Sequence, residues 1–115
     1  MLFLWYPKCT TCQRAKKFLD GRGAVYTLRH IKEENPTVDE LRTWWQASGL
    51  PLKKFFNTSG MQYRELGLKD KLPAMDEEEQ LALLASDGML VKRPVLVGEG
   101  FVLTGFRQGE WEEKL

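Results

Sequence analysis

A chain of 115 residues with 43% hydrophobic and 29% charged side chains fits one globular domain with enough apolar material for one core. Its net charge of +1 gives no electrostatic footing for nucleic acid or an anionic membrane surface as the main partner. No apolar stretch nears the about 20 residues of a membrane span, and no basic region precedes a signal-type apolar core, so the expected location is cytoplasmic.

Leu2-Phe3-Leu4-Trp5-Tyr6 reads as a short strand buried on both faces, with Pro7-Lys8 turning the chain out of it. Thr10 to about Leu19 reads as a helix. Ala15, Phe18 and Leu19 form its inward stripe, and Gln13, Arg14, Lys16 and Lys17 stay outside. Gly21-Arg22-Gly23 ends it, and Ala24 to Leu28 is a second strand. A right-handed crossover makes the two strands parallel.

Asn35-Pro36-Thr37 starts a helix with Val38, Leu41, Trp45 and Ser48 on one face, closed by Gly49-Leu50-Pro51. Leu52 to Phe56 is a short helical turn and Asn57-Thr58-Ser59-Gly60 a polar loop. Tyr63 to Leu68 is helical and closed by Gly67. Asp76 caps an acidic-start helix with Leu81, Leu84 and Ala85 inward, ended by Asp87-Gly88. Arg93 to Val97 is a strand entered through Pro94. Glu99-Gly100 turns it into a hairpin with Phe101 to Thr104. After Gly105, residues 108 to 115 form a last helix with Trp111 and Leu115 inward. The adjacent aromatic pairs Trp44-Trp45 and Phe55-Phe56 are mostly core, with room for one of each at a partner surface.

The chemistry concentrates at Cys9-Thr10-Thr11-Cys12, which holds the chain's two cysteines. A strand feeding a helix whose first turn carries Cys-x-x-Cys is a thioredoxin-like redox signature. The first helical turn has unpaired N–H groups and the positive end of the helix dipole, and both favour a thiolate. That makes Cys9 the nucleophile and Cys12, one turn on, the resolving thiol. The competing reading, half a zinc site, needs about two further ligands. The chain offers His30 alone, expected as a surface residue after the second strand. No cofactor or metal is implied.

The order β-α-β, several helices, β-β-α matches a thioredoxin-like α/β fold, a mixed four-stranded sheet with a helical insertion at about residues 36 to 87. In such folds a cis-proline at the start of the third strand faces the cysteines, which is the place of Pro94. Three segments then carry a closer likeness: residues 7–12, Tyr63-Arg64-Glu65-Leu66-Gly67-Leu68, and Lys92-Arg93-Pro94-Val95-Leu96-Val97. In order and spacing these resemble the ArsC/Spx family over nearly the whole chain. That family holds glutaredoxin-coupled arsenate reductases and Spx-type regulators that bind RNA polymerase.

The resemblance implies that Cys9 falls on the reductases' catalytic cysteine and Arg93 on an oxyanion-binding arginine. Asn57 stands where those enzymes have a second such arginine, and Arg107 lies close to a third. Cys12 resembles the switch cysteine of the Spx type. The expected enzyme is an arsenate reductase-like thiol–disulfide oxidoreductase acting on a small oxyanion or a disulfide. Thioredoxin, or glutaredoxin with glutathione, would be the reductant. The alternative is a redox sensor binding RNA polymerase without turnover. A guanidinium at Arg93 suits a thiolate and a tetrahedral anion alike. The N–H groups of Thr10 and Thr11 suit an anion. Lys8 either adds to the positive field or is simply solvated, and Asn57 is either a second wall of the site or part of a polar loop.

Overall fold

The computed structural model describes residues 1–115. Four short strands form one mixed sheet: β1 (Leu2–Trp5), β2 (Thr27–His30), β3 (Val95–Gly98) and β4 (Phe101–Thr104), in the order β2-β1-β3-β4. β1 runs parallel to β2 and antiparallel to β3, and β3 and β4 make a hairpin. Alternation along the central strands divides two apolar clusters. Phe3 and Leu96 face one side with Ala15, Leu19 and Trp111, while Leu4 and Val95 face the other with Ile31, Leu41, Phe55, Leu81 and Leu84.

The first side is covered by α1 (Thr10–Gly21) and α6 (Gln108–Lys114). The second is covered by the helices between β2 and β3: α2 (Val38–Ser48), α3 (Met61–Glu65), α4 (Leu68–Lys71) and α5 (Glu77–Ser86), with 3-10 turns after α2, α4 and α5. α2 and α5 each begin in a capping box, Thr37 with Glu40 and Asp76 with Glu79. Each box satisfies two N–H groups that a bare helix start would leave open. Asn35 stitches the end of this layer to its start. Its Nδ2 donates to the Ala85 carbonyl at 2.7 Å, and its Oδ1 accepts from the Gly88 N–H at 2.8 Å. Gly88 is required there, because a Cβ would lie 1.9 Å from the Ile31 carbonyl oxygen.

Several expectations shift. β2 begins at Thr27, not Ala24, because the Ala24 N–H closes the end of α1 on the Leu19 carbonyl at 3.0 Å. Val25 is 86% exposed, and the ladder opens where the Thr27 N–H reaches the Met1 carbonyl. Trp44, not Trp45, is the more buried of its pair, and Trp45 lies at the margin with its Nε1 donating to the Leu50 carbonyl. Phe55 and Phe56 are both core. The single helix expected over 63–68 is two short ones, broken at Gly67 with φ +63. β3 starts at Val95, which leaves Arg93 and Pro94 outside the ladder. Leu115 is exposed rather than inward.

Candidate active site

The site forms where β1 runs out beside the loop that enters β3. β1 ends at Trp5, and the turn Tyr6–Lys8 brings the chain round so that the Cys9 N–H donates to the Tyr6 carbonyl at 2.9 Å. Gln13 fixes the turn from the helix side, its Nε2 donating to the Pro7 carbonyl at 2.7 Å. Cys9 is the N-cap of α1, in extended backbone. Its sulfur therefore stands at the mouth of the first turn, where free N–H groups point. Cys12, one turn on, is fully buried, whereas Cys9 is half-exposed, and both are free thiols.

The two thiols differ electrostatically. Partial burial alone would raise the Cys9 pKa. The backbone and thiol of Cys12 and the charge of the Arg93 guanidinium favour the thiolate and outweigh burial, so Cys9 is held below the ordinary thiol value. Cys12 is pushed up to about 12. Burial is the main cause, and the neighbouring Cys9 sulfur adds to it against the Tyr6 backbone and Arg93. The two thiols are thus shifted in opposite directions, Cys9 down and Cys12 up.

Arg93 enters from the opposite loop. The Arg93–Pro94 peptide is cis, and Pro94 is buried. The guanidinium lies over the Tyr6 ring, 5.4 Å from its centroid, and Nη1 faces the Met89 carbonyl at 3.4 Å and the Met89 sulfur at 3.7 Å. Arg93 Nε is buried and has no hydrogen-bond partner. The other face of this arrangement is His30, whose ring meets Tyr6 edge-on at 5.6 Å. His30 sits at the end of β2 as expected and is half-buried. Its Nδ1 accepts from the N–H groups of Lys32 and Glu33.

The remaining expected residues fall in two groups. Thr10 and Thr11 form the first turn of α1 beside Cys9, and Lys8 is exposed in the turn before it. Asn57 is half-buried. Its N–H donates to the Leu90 carbonyl at 2.7 Å, which fixes the 57–60 turn beside the segment leading to Arg93. Arg107 is not drawn in. It is the N-cap residue of α6, and its side chain is 82% exposed and turned toward Glu110 at 3.7 Å. Position 107 follows the break at Gly105 (φ +70), where the chain leaves the sheet.

Two residues of the site carry no signal of their own in the sequence. Tyr6 reads as the last apolar residue of a buried strand, and Met89 falls between Gly88 and Arg93, where no element is read. Both matter through contacts with Arg93 that no local pattern carries. The one available signal for Tyr6 was its place between the strand and the Cys-x-x-Cys turn.

The ArsC family profile matches residues 4–114. The chain belongs to the ArsC family. An ArsC family related protein from Bacteroides fragilis has the same fold with a TM-score of 0.95 and 61% identity, over 97% of this chain and 94% of that one. A structure described as a "possible arsenate reductase" from Streptococcus mutans matches with a TM-score of 0.90 and 50% identity, over 99% and 97% of the two chains. The global transcriptional regulator Spx of Staphylococcus haemolyticus is 28% identical over 105 residues, 90% of this chain and 78% of its own length. The mixed sheet with its helical layers is thus the thioredoxin-type fold of ArsC proteins. Within it this chain carries a Cys-x-x-Cys pair at residues 9–12, the arginine Arg93 before a cis proline, and a neutral asparagine at position 57.

Proposed function

We propose that this protein is a cytoplasmic thiol–disulfide oxidoreductase in which Cys9 attacks and Cys12 resolves. The observation that carries the reading is the split between the two sulfurs: Cys9 half-exposed and held toward the thiolate, Cys12 buried and held toward the thiol. The thiolate is the attacking species. Cys9 forms a covalent bond to the substrate, either to the arsenic of arsenate as an As–O bond breaks and water leaves, or to one sulfur of a disulfide as its S–S bond breaks and a thiolate leaves. Once Cys9 is capped, its negative charge is gone, and with it one of the causes that hold the Cys12 proton. The Cys12 sulfur then attacks Cys9, the bound group leaves, and the Cys9–Cys12 disulfide remains. Two electrons have passed from the dithiol to the substrate. Thioredoxin, or glutaredoxin with glutathione, returns them by thiol–disulfide exchange.

Kinship with Spx supports a second reading, in which the same disulfide changes a surface that binds RNA polymerase and no substrate turns over. A coupled assay separates the two. The reduced protein is supplied with arsenate or with a disulfide, and NADPH consumption is followed through thioredoxin or glutaredoxin. Sustained turnover in any arm fits the oxidoreductase. A disulfide that forms once and never cycles fits the regulator.

A further inference from the structure

We infer that the site takes an uncharged disulfide in preference to a tetrahedral oxyanion. This rests on the thiol–disulfide reading above and narrows its substrate class.

Arg93 is the cation whose charge bears on Cys9. Arg93 cannot offer a free fork. One bidentate edge of a guanidinium includes Nε, which is buried here, and the other includes Nη1, which is turned to Met89. Neither of the other two expected groups supplies a second cation: position 57 is a neutral asparagine, and Arg107 is exposed and paired with Glu110. Lys8 is exposed to water, where its charge is screened. An arriving arsenate mono- or dianion would therefore meet the thiolate charge with no second guanidinium to offset it.

A neutral disulfide brings no charge. In the exchange the Cys9 sulfur bonds to one substrate sulfur as the S–S bond breaks, and a single negative charge passes to the leaving thiolate. One guanidinium suffices for that charge. The surfaces flanking Arg93, the Tyr6 ring and the Met89 thioether, are apolar and polarisable and suit a thioalkyl chain. The Cys12 sulfur then bonds to Cys9 as the Cys9–substrate S–S bond breaks, its proton passes to the departing sulfur, the second half leaves as a thiol, and an external dithiol reduces the Cys9–Cys12 bond.

The test uses the full-length reduced protein and follows formation of the Cys9–Cys12 disulfide by mass spectrometry. Its arms contain 2-hydroxyethyl disulfide, a neutral peptide disulfide, arsenate, or the thiol oxidant diamide. Either neutral disulfide is expected to react at least about tenfold faster than arsenate at equal concentration. The faster of the two identifies a small-molecule or a peptide source. Inorganic phosphate, compared with sodium chloride at matched ionic strength, is expected to slow the disulfide arm by less than about twofold. The Cys12→Ser variant should release one thiol per protein and retain the other half of the disulfide on Cys9. Arsenate reacting as fast as the disulfides, or phosphate competing strongly, would overturn the substrate class while leaving the dithiol chemistry intact. Failure of diamide to produce the Cys9–Cys12 bond would overturn the underlying reading and this inference with it.

Discussion

At the scale of single residues, Arg93 is where geometry becomes chemistry. Its charge favours the Cys9 thiolate, and its guanidinium lies over the Tyr6 ring with Nη1 toward the Met89 carbonyl and sulfur. Arg93→Ala should raise the Cys9 pKa and slow its alkylation, at a pH well below the ordinary thiol value of 9.0, by on the order of tenfold. Arg93→Lys should keep part of that effect, because the charge stays and the planar donors go. Unchanged alkylation in Arg93→Ala would remove Arg93 from the account. Tyr6 acts through Arg93. Tyr6→Phe keeps the ring and should leave the pH profile of Cys9 alkylation in place, while Tyr6→Leu should move it toward higher pH, with the Phe variant as the control for folding. The cysteines and Arg93-Pro94 were legible in the sequence because they form local motifs. Tyr6 and Met89 were not, because their roles exist only once β1 and the loop before β3 lie side by side. Arg107 was offered by the family resemblance alone, and the structure has its side chain exposed beyond the turn at Gly105 and turned toward Glu110.

At the scale of elements, the helices between β2 and β3 are anchored by one polar knot. Arg29 on β2 donates to the carbonyls of Glu34 and Asn35 and pairs with both oxygens of Glu40 at 2.6 and 3.0 Å, while its guanidinium lies over Trp44. Arg29→Ala should destabilise the protein by about 1–2 kcal/mol in denaturant titration, the modest value reflecting the partly exposed face of Glu40. The knot also sets an acid limb. The Arg29 hydrogen bonds, against burial and with help from the Thr37 N–H, hold the Glu40 carboxyl below its ordinary value of 4.5. A depressed carboxyl contributes stability in full above the ordinary value and loses it as pH falls through the folded one. Glu40→Gln should therefore lower stability at neutral pH and flatten its decline in acid, and an unaltered acid limb would show that other groups set it. Helix starts in this layer were readable from Thr37 and Asp76. The start of β2 was not, because Ala24 and Val25 look like strand while the Ala24 N–H is spent on capping α1.

At the scale of the whole molecule, the sheet is a divider between two unequal clusters, and the cysteines lie just beyond the end of the central strand β1, beside the loop before β3. The smaller cluster depends on Trp111, which is fully buried, packs edge-on against Phe3 and Phe106 and donates its Nε1 to the Gly105 carbonyl. Trp111→Ala should cost about 3–5 kcal/mol and lower Tm by more than about 10 °C; a shift of a degree or two in a thermal melt would contradict this packing. The order of elements was legible from hydrophobic runs and glycine and proline breaks. The choice between Trp44 and Trp45 was not, because both fit the helical stripe and only the packed neighbours decide. The molecule as a whole places a half-exposed thiol beside a buried one, and the central claim is that these two form a disulfide and give it up again. The most direct measurement is peptide mapping of the fully reduced protein after one equivalent of oxidant, before and after thioredoxin. The account predicts a monomer carrying a Cys9–Cys12 bond that thioredoxin returns to two thiols. Sulfinic acid on Cys9 with Cys12 still free, or dimers linked between chains, would contradict it.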